Sequence, residues 1–179
     1  MMGEPDQIVV QNRIDFVTGA VRRYVADVDA LTRVAERARE LVAGQPVAAV
    51  RAEAGAGEWS AARALGHMLA STRVLRDQLT RMAWMTDPVL PVVDDAAAAE
   101  EHRWESQDPA QLLGWLSEEI AEIEALLKHL PDSSWGRAGV HPAFGRRSIR
   151  QAVRGAVGHL EGHVEQVEAA LLPSGGRRA

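Results

Sequence analysis

The sequence predicts an all-α protein, a four-helix bundle, from three observations. Apolar residues recur every three or four positions along four long stretches, as in amphipathic helices. Strand-forming patterns are scarce, with one Tyr, two Phe and few alternating runs. Four such stretches in a chain of 179 residues bury their apolar faces most simply as a bundle. We expect one domain over residues 1–179, with its core at about 14–172 and a loose tail at 173–179.

The first predicted helix carries an apolar stripe from Ile14 to Val42 and ends before Pro46. The second begins after Ser60, a suitable N-cap, and ends before Pro88. Its stripe consists of Leu65, Leu69, Thr72, Leu75, Leu79 and Met82. These two segments are therefore expected to form half of the bundle.

A long connection, roughly residues 85–107, separates the second and third predicted helices. It contains DDAAAAEEHRWE, which favours a short extra helix, and its length permits a crossover in place of a tight helical hairpin. The third helix then begins at Asp108 as N-cap, with Pro109 at the first helical position, and ends at Pro131.

The fourth predicted helix opens with a capping box, Ser148 to Gln151, and ends at Pro173. It carries His159 and His163, which are one turn apart on one flank of its apolar stripe, with His163 nearer the core. Two imidazoles at this spacing suit one metal ion. They also suit two boundary residues hydrogen-bonded to their neighbours, and the spacing alone leaves both interpretations open.

A third metal ligand would have to come from another segment. His67 lies about 110° from the centre of the second helix's stripe, so periodicity alone favours a surface or boundary position. His129, in the last turn of the third helix, and His102, in the long connection, are predicted to be surface residues. His141 precedes the fourth helix in a predicted loop, which would cover one end of the bundle or have no role.

Two of the five tryptophans, Trp59 and Trp135, each stand shortly before a helix. Both fit apolar plugs at an end of the bundle, and both also fit walls of a pocket. We favour the plugs at this stage.

Composition excludes several classes of function. The net charge is −5 and no block of Lys or Arg forms a phosphate-binding stripe, so no nucleic-acid partner is expected. No run of about 18 apolar residues predicts a membrane span, and the N-terminus does not resemble a signal peptide. The absence of cysteine excludes disulfides, thiolate metal sites and a cysteine nucleophile. These features predict a cytoplasmic protein.

The stretches GEWSAARALGHMLAS and SSWGRAGVHPAFGRRSIRQAVRGAVGHLEGHVEQVEAALL resemble the DinB/YfiT-like superfamily. The shared pattern is a tryptophan before the second helix, one histidine on that helix, a second tryptophan before a glycine-containing loop, and HxxxH on the last helix. The likeness spans about residues 14–172. It implies a crossover four-helix bundle and a divalent metal, Zn, Ni or Fe, bound by His67, His159 and His163.

The resemblance also implies an activity, because characterised relatives include thiol S-transferases that use bacillithiol or mycothiol. We therefore predict a metal-dependent enzyme that transfers a low-molecular-weight thiol to an electrophile, with Arg63 and His141 in contact with the substrate. The alternatives are a metal-dependent hydrolase, a non-catalytic stress protein that binds metal or a small ligand, and a purely structural bundle. A homodimer through exposed faces is a further implication of the likeness.

Overall fold

The structure of the protein is a computed structural model that describes residues 24–94, 97–98 and 102–172. It contains four long helices and one short helix, which are α1 (Val25–Val42), α2 (Val47–Arg51), α3 (Ala61–Trp84), α4 (Pro109–His129) and α5 (Ile149–Leu171). The predicted four-helix bundle is confirmed. The predicted start of the first helix at residues 14–23 and the predicted loose tail at 173–179 lie outside the described residues.

The helix starts follow the predicted caps. The side chains of Ser60, Asp108 and Ser148 each accept a hydrogen bond from a backbone N–H in the first turn of α3, α4 and α5. At Ser148 the carboxamide oxygen of Gln151 accepts from the backbone N–H of the cap residue, which completes the capping box. Each cap of this kind stabilises a helix by about 1 kcal/mol.

The order of the helices around the bundle differs from their order in the chain. Helices α4 and α5 each pack against both α1 and α3, so the four form a ring in the order α1, α4, α3, α5. Among the long helices, α1 and α3 follow each other in the chain but lie diagonally across the ring. The same is true of α4 and α5. Within the four long helices, the large side chains buried most completely are Leu31, Leu65, Met68, Leu69, Leu79, Met82, Leu112, Leu116, Ile123 and Leu127.

Side-chain contacts give the direction of each helix. Arg73 and Arg76 of α3 pair with Glu119 of α4, and Trp104, just before α4, lies against Gly66 near the start of α3. Helices α3 and α4 therefore run parallel. The connection at residues 85–108 is long because it must return the chain along the whole bundle before α4 can begin.

That connection is only partly regular. Ala97, Ala98 and His102 are helical, and Trp104–Ser106 forms a short 3-10 helix. The neighbouring residues 95–96 and 99–101 lie outside the described residues, so the predicted extra helix is observed only in part.

A small β-hairpin precedes α5 where the sequence predicts a loop. Strands β1 (Ala138–His141) and β2 (Gly145–Ser148) are antiparallel, with His141 opposite Gly145. Gly145 has a φ of +69°, which favours glycine in the turn. The backbone of Leu90 pairs with Val140, so the long connection braces the hairpin. Strands this short, with little apolar alternation, give no recognisable pattern.

The end of the bundle that carries the hairpin is closed by Trp135. Its ring is 1% exposed and stacks on Tyr24 with centroids 4.2 Å apart. The predicted plug is therefore confirmed for this tryptophan.

Within the described residues, none of the helices combines the length and the apolar character needed to cross a membrane.

Candidate metal centre

Three histidines meet between α3 and α5. His67 comes from α3, and His159 and His163 come from α5; their ligand-type nitrogens all lie within 4.8 Å of one another. The Nε2 atoms of His67 and His159 are 3.0 Å apart. Arg137 donates to carbonyls at the end of α3, and its own carbonyl accepts from the backbone N–H of Ile149, the first residue of α5. The two helices therefore run antiparallel, and these positions face each other.

His67 is buried, at 7% exposure, which contradicts the surface or boundary position that periodicity favours. The reason is the position of α3 in the ring. Both α4 and α5 pack against it, so a second face of the helix is covered besides its main apolar stripe. A one-stripe interpretation of the helical wheel does not allow for this second contact.

The other two histidines are progressively more open to solvent. His163 is half-buried and His159 is exposed, which confirms that His163 lies nearer the core. The centre is therefore closed on the α3 side and accessible to small molecules on the α5 side.

Gln166 fixes the orientation of His163. The Nδ1 atom of His163 lies 2.9 Å from the carboxamide oxygen of Gln166, three residues further along α5. That oxygen accepts a hydrogen bond, so Nδ1 carries the proton and Nε2 keeps its lone pair. The sequence analysis missed Gln166, although its spacing of three from His163 places it on the same helix face.

Trp59 forms a wall of the centre, so its predicted role as an end plug is wrong. Its ring centroid lies 5.3 Å from that of His67 and 5.8 Å from that of His163, and the planes of Trp59 and His163 differ by 5°. Trp59 immediately precedes the Ser60 cap, which holds the first turn of α3 in place. The indole is thereby positioned by the start of the same helix that supplies His67.

Arg63 lies at the mouth of the centre, one turn before His67. Its guanidinium carbon is 4.9 Å from the centroid of the Trp59 ring, and its Nε is 3.8 Å from a carboxylate oxygen of Glu105. Both members of that ion pair are about two-fifths exposed, at 42% and 44%. Such a surface pair is weak, so the guanidinium is available to another anion.

Ser71 lies one turn after His67, on the same face of α3. Its Oγ is 3.3 Å from Nε2 of His67 and 3.4 Å from Nε2 of His159. Arg63, His67 and Ser71, each four residues apart, thus form a continuous polar row along the site.

His141 lies in the hairpin instead. Its Nδ1 accepts hydrogen bonds from the backbone N–H groups of Ala143 and Phe144, and its ring stacks on Phe144. Burial, and to a lesser extent the charge of Arg147, lowers the pKa of His141. The hairpin ends at the start of α5, roughly 15 Å along the helix axis from His159. A substrate contact for His141 stays a prediction.

The remaining histidines lie apart from the group. His129 is exposed, as predicted, and its Nδ1 is 2.6 Å from the carbonyl oxygen of Ala125. His102 is half-buried and stacks on Trp104, so its predicted exposure is wrong. In the part of the chain that the structure describes, the only group of three or more histidines or carboxylates positioned to share an ion is His67, His159 and His163.

Comparisons with known proteins agree with this fold. A family model for the DinB superfamily matches residues 30–167. Among solved structures, the chain is similar to YfiT from Bacillus subtilis, described as a probable metal-dependent hydrolase with an unusual four-helix bundle topology. The TM-score is 0.76 at 18% identity, over 84% of this chain and 87% of that one, and this likeness shows the fold. No curated protein sequence matches the chain.

Proposed function

Because the chain belongs to the DinB superfamily, we propose that its three histidines hold a divalent metal and that it transfers a small-molecule thiol to an electrophile. The observation that carries the proposal is a convergent group made of three imidazoles and no carboxylate. His67, His159 and His163 would be the metal ligands, and Trp59 and Arg63 would contact the substrate.

The donor set fits a metal ion. Two nitrogens bound to one ion at about 2.0–2.1 Å lie roughly 3 Å apart or slightly more, and the Nε2 atoms of His67 and His159 are 3.0 Å apart. Imidazole ligands suit Zn, Ni and Fe. Three protein ligands leave a coordination position for an exogenous molecule, which is typical of catalytic and not of structural sites.

A thiol is the nucleophile that this donor set favours. The group contains no carboxylate to accept a proton, so the site suits a nucleophile that ionises easily. A thiol has a pKa of about 8.5, against roughly 15.7 for water. The bound metal would supply Lewis acidity that lowers the pKa of the thiol further. The chain has no cysteine, so the thiol has to be a small molecule.

The transfer balances without another reactant. The thiol gives its proton to solvent, which reaches the centre on the exposed His159 side. Its sulfur then forms a bond to an electrophilic carbon, and the leaving group departs with its electron pair and takes up a proton. The proposal requires a compartment where small thiols stay reduced, which is the cytosol.

Trp59 and Arg63 would orient the reactants. The indole covers one side of the histidine group and offers an apolar face to the electrophile. The guanidinium stacked on that indole would pair with a carboxylate of the thiol or of the electrophile.

Hydrolysis is the second candidate, favoured by the description of YfiT as a probable metal-dependent hydrolase. The same site would then act on water, and a proton acceptor outside the three-histidine group would be needed. A third outcome is a site that binds metal or a small ligand without turnover. The predicted homodimer is separate from these alternatives, and sedimentation analysis tests it directly.

The first experiment is elemental analysis of protein purified without a histidine tag. We expect about one divalent metal per chain, lost in His67→Ala and in the double variant His159→Ala/His163→Ala. His129→Ala is the matched control, because that histidine lies outside the group, and it should keep its metal. A wild-type protein without metal after reconstitution would contradict the metal centre.

The second experiment separates the activities. Metal-loaded protein is incubated with mycothiol, bacillithiol or a simpler thiol and an activated aryl chloride, and consumption of thiol is followed. Enzymatic thiol consumption that disappears in the double variant supports transfer. Cleavage of an ester or amide without thiol consumption supports hydrolysis, and the absence of both supports a binding protein.

A further inference from the structure

The hydroxyl group of Ser71 is oriented differently from those of Thr72 and Thr80 on the same helix and of Ser117 on α4. Thr72 and Thr80 on the same helix donate their hydroxyls to the carbonyl four residues earlier, at 2.7 and 2.8 Å, and Ser117 of α4 does the same at 2.8 Å. That bond is the usual one for a hydroxyl inside a helix. Ser71 instead contacts the Nε2 atoms of His67 and His159.

Those two nitrogens are the atoms that would bind the metal, so the contact of Ser71 changes when the centre is filled. A coordinated imidazole nitrogen has no lone pair left to accept a hydrogen bond. The Ser71 proton then needs another acceptor close to the same two nitrogens. Two acceptors come into question: the carbonyl oxygen of His67, four residues earlier, and the molecule in the remaining coordination position.

We propose that Ser71 recognises the exogenous ligand of the centre, by donating its hydroxyl hydrogen bond to an anion, and under the proposed function to the thiolate. The inference rests on the proposed metal centre. Ser71 acts as a donor and not as a ligand, because proteins bind these metals through imidazole, thiolate and carboxylate groups in preference to a neutral hydroxyl. Its side chain is half-buried and lies between His67 and His159.

The proposal predicts separate effects on metal and anion. A hydrogen bond to a charged group is among the stronger ones, so its loss should weaken anion binding roughly 10- to 100-fold. Binding of the metal itself should change by less than about 3-fold, because the three imidazoles remain. Ser71→Thr keeps a hydroxyl and should restore most of the anion affinity.

The test uses cobalt-substituted full-length protein, whose visible absorption reports the coordination sphere. The affinity for Co²⁺ is measured by competition with a chelator, and azide and 2-mercaptoethanol are then titrated separately. Wild type, Ser71→Ala and Ser71→Thr are compared with Thr80→Ala, which removes a hydroxyl of the same helix that bonds to its own backbone. We expect only Ser71→Ala to lose affinity for azide and for the thiol.

Three results would overturn the inference. Equal anion affinity in Ser71→Ala and wild type would show that the hydroxyl does not contact the ligand. A loss of more than about 10-fold in Co²⁺ affinity would assign Ser71 to the metal ligands instead. These first two results leave the metal centre intact. The third result, failure of the wild type to bind Co²⁺, would remove the proposed function together with this inference.

Discussion

The indole of Trp104 lies directly against Gly66, the residue that precedes His67 in α3. A methyl group added at position 66 would overlap the ring and the Cβ atom of Trp104, which is 3% exposed. The close approach lets the returning connection pack onto α3 beside the histidine group. Gly66 therefore determines how the segment before α4 sits against the helix that carries the buried His67.

Replacement of Gly66 by alanine should destabilise the protein. Overpacking costs about 1–3 kcal/mol and would exceed the gain of up to about 1 kcal/mol that alanine brings inside a helix. Gly114→Ala in α4 is the control, since a methyl group there meets no atom within 4 Å and should stabilise the protein by about 0.5–1 kcal/mol. Urea denaturation measures the free energy of unfolding of both variants. Equal stability of the two would contradict the close packing.

Loss of the Gln166 side chain should weaken metal binding. Gln166→Leu leaves the Nδ1–H of His163 without its acceptor, so the imidazole is less well oriented. Such changes cost roughly 10- to 100-fold in metal affinity. Gln166→Glu keeps an oxygen acceptor and should bind at least as tightly as wild type. Competition with a chromophoric chelator measures all three proteins, and a Gln166→Leu variant as tight as wild type would refute the orienting contact.

Arg63 should affect substrate binding more than the chemical step. Arg63→Met keeps much of the apolar stem but removes the charge, so KM for an anionic thiol should rise about 10-fold with little change in kcat. Arg81→Met, at the far end of α3 where the arginine pairs with Asp77, is the control. Steady-state kinetics with an anionic and a neutral thiol provide the comparison, and an equal effect on both thiols would exclude charge recognition.

Acid should loosen the hairpin through His141. Burial and the nearby Arg147 hold its pKa below the ordinary value of 6.5, so the folded state favours the neutral ring. Only a neutral ring accepts the N–H groups of Ala143 and Phe144 at Nδ1. The stability that His141 contributes is therefore complete above about pH 6.5 and is lost as pH falls through the lower folded pKa.

NMR titration of the His141 ring, with hydrogen exchange of the Ala143 and Phe144 amides, measures this effect. Faster exchange at acidic pH should follow the titration of the ring. A midpoint at or above 6.5 in the folded protein would contradict the expected direction.

Local features of the sequence predicted most of the fold. The caps at Ser60, Asp108 and Ser148 and the apolar stripes lie within single helices, so they are visible without knowledge of the packing. The pairing of His159 with His163 is visible for the same reason. Local spacing therefore predicted the helix boundaries and two of the three histidines of the group.

The rest of the site depends on contacts between distant segments. His67 is buried only because α3 lies between two helices, and Trp59 reaches the centre only because α5 packs beside the start of α3. The resemblance to a family, and not periodicity, predicted that His67 points into the bundle. The hairpin was missed because its strands are short and because part of its support comes from the backbone of Leu90, far away in the chain.

The ring order of the helices has a consequence for folding. His67 and His159 are 92 positions apart, so no N-terminal fragment that lacks α5 contains the complete centre. During synthesis α3 emerges before α5, so its second face stays uncovered until α5 docks. Contacts of such long sequence separation form slowly, because the intervening chain must be ordered before they are gained. Helix α5 therefore completes both the core and the histidine group after α3 has been synthesised.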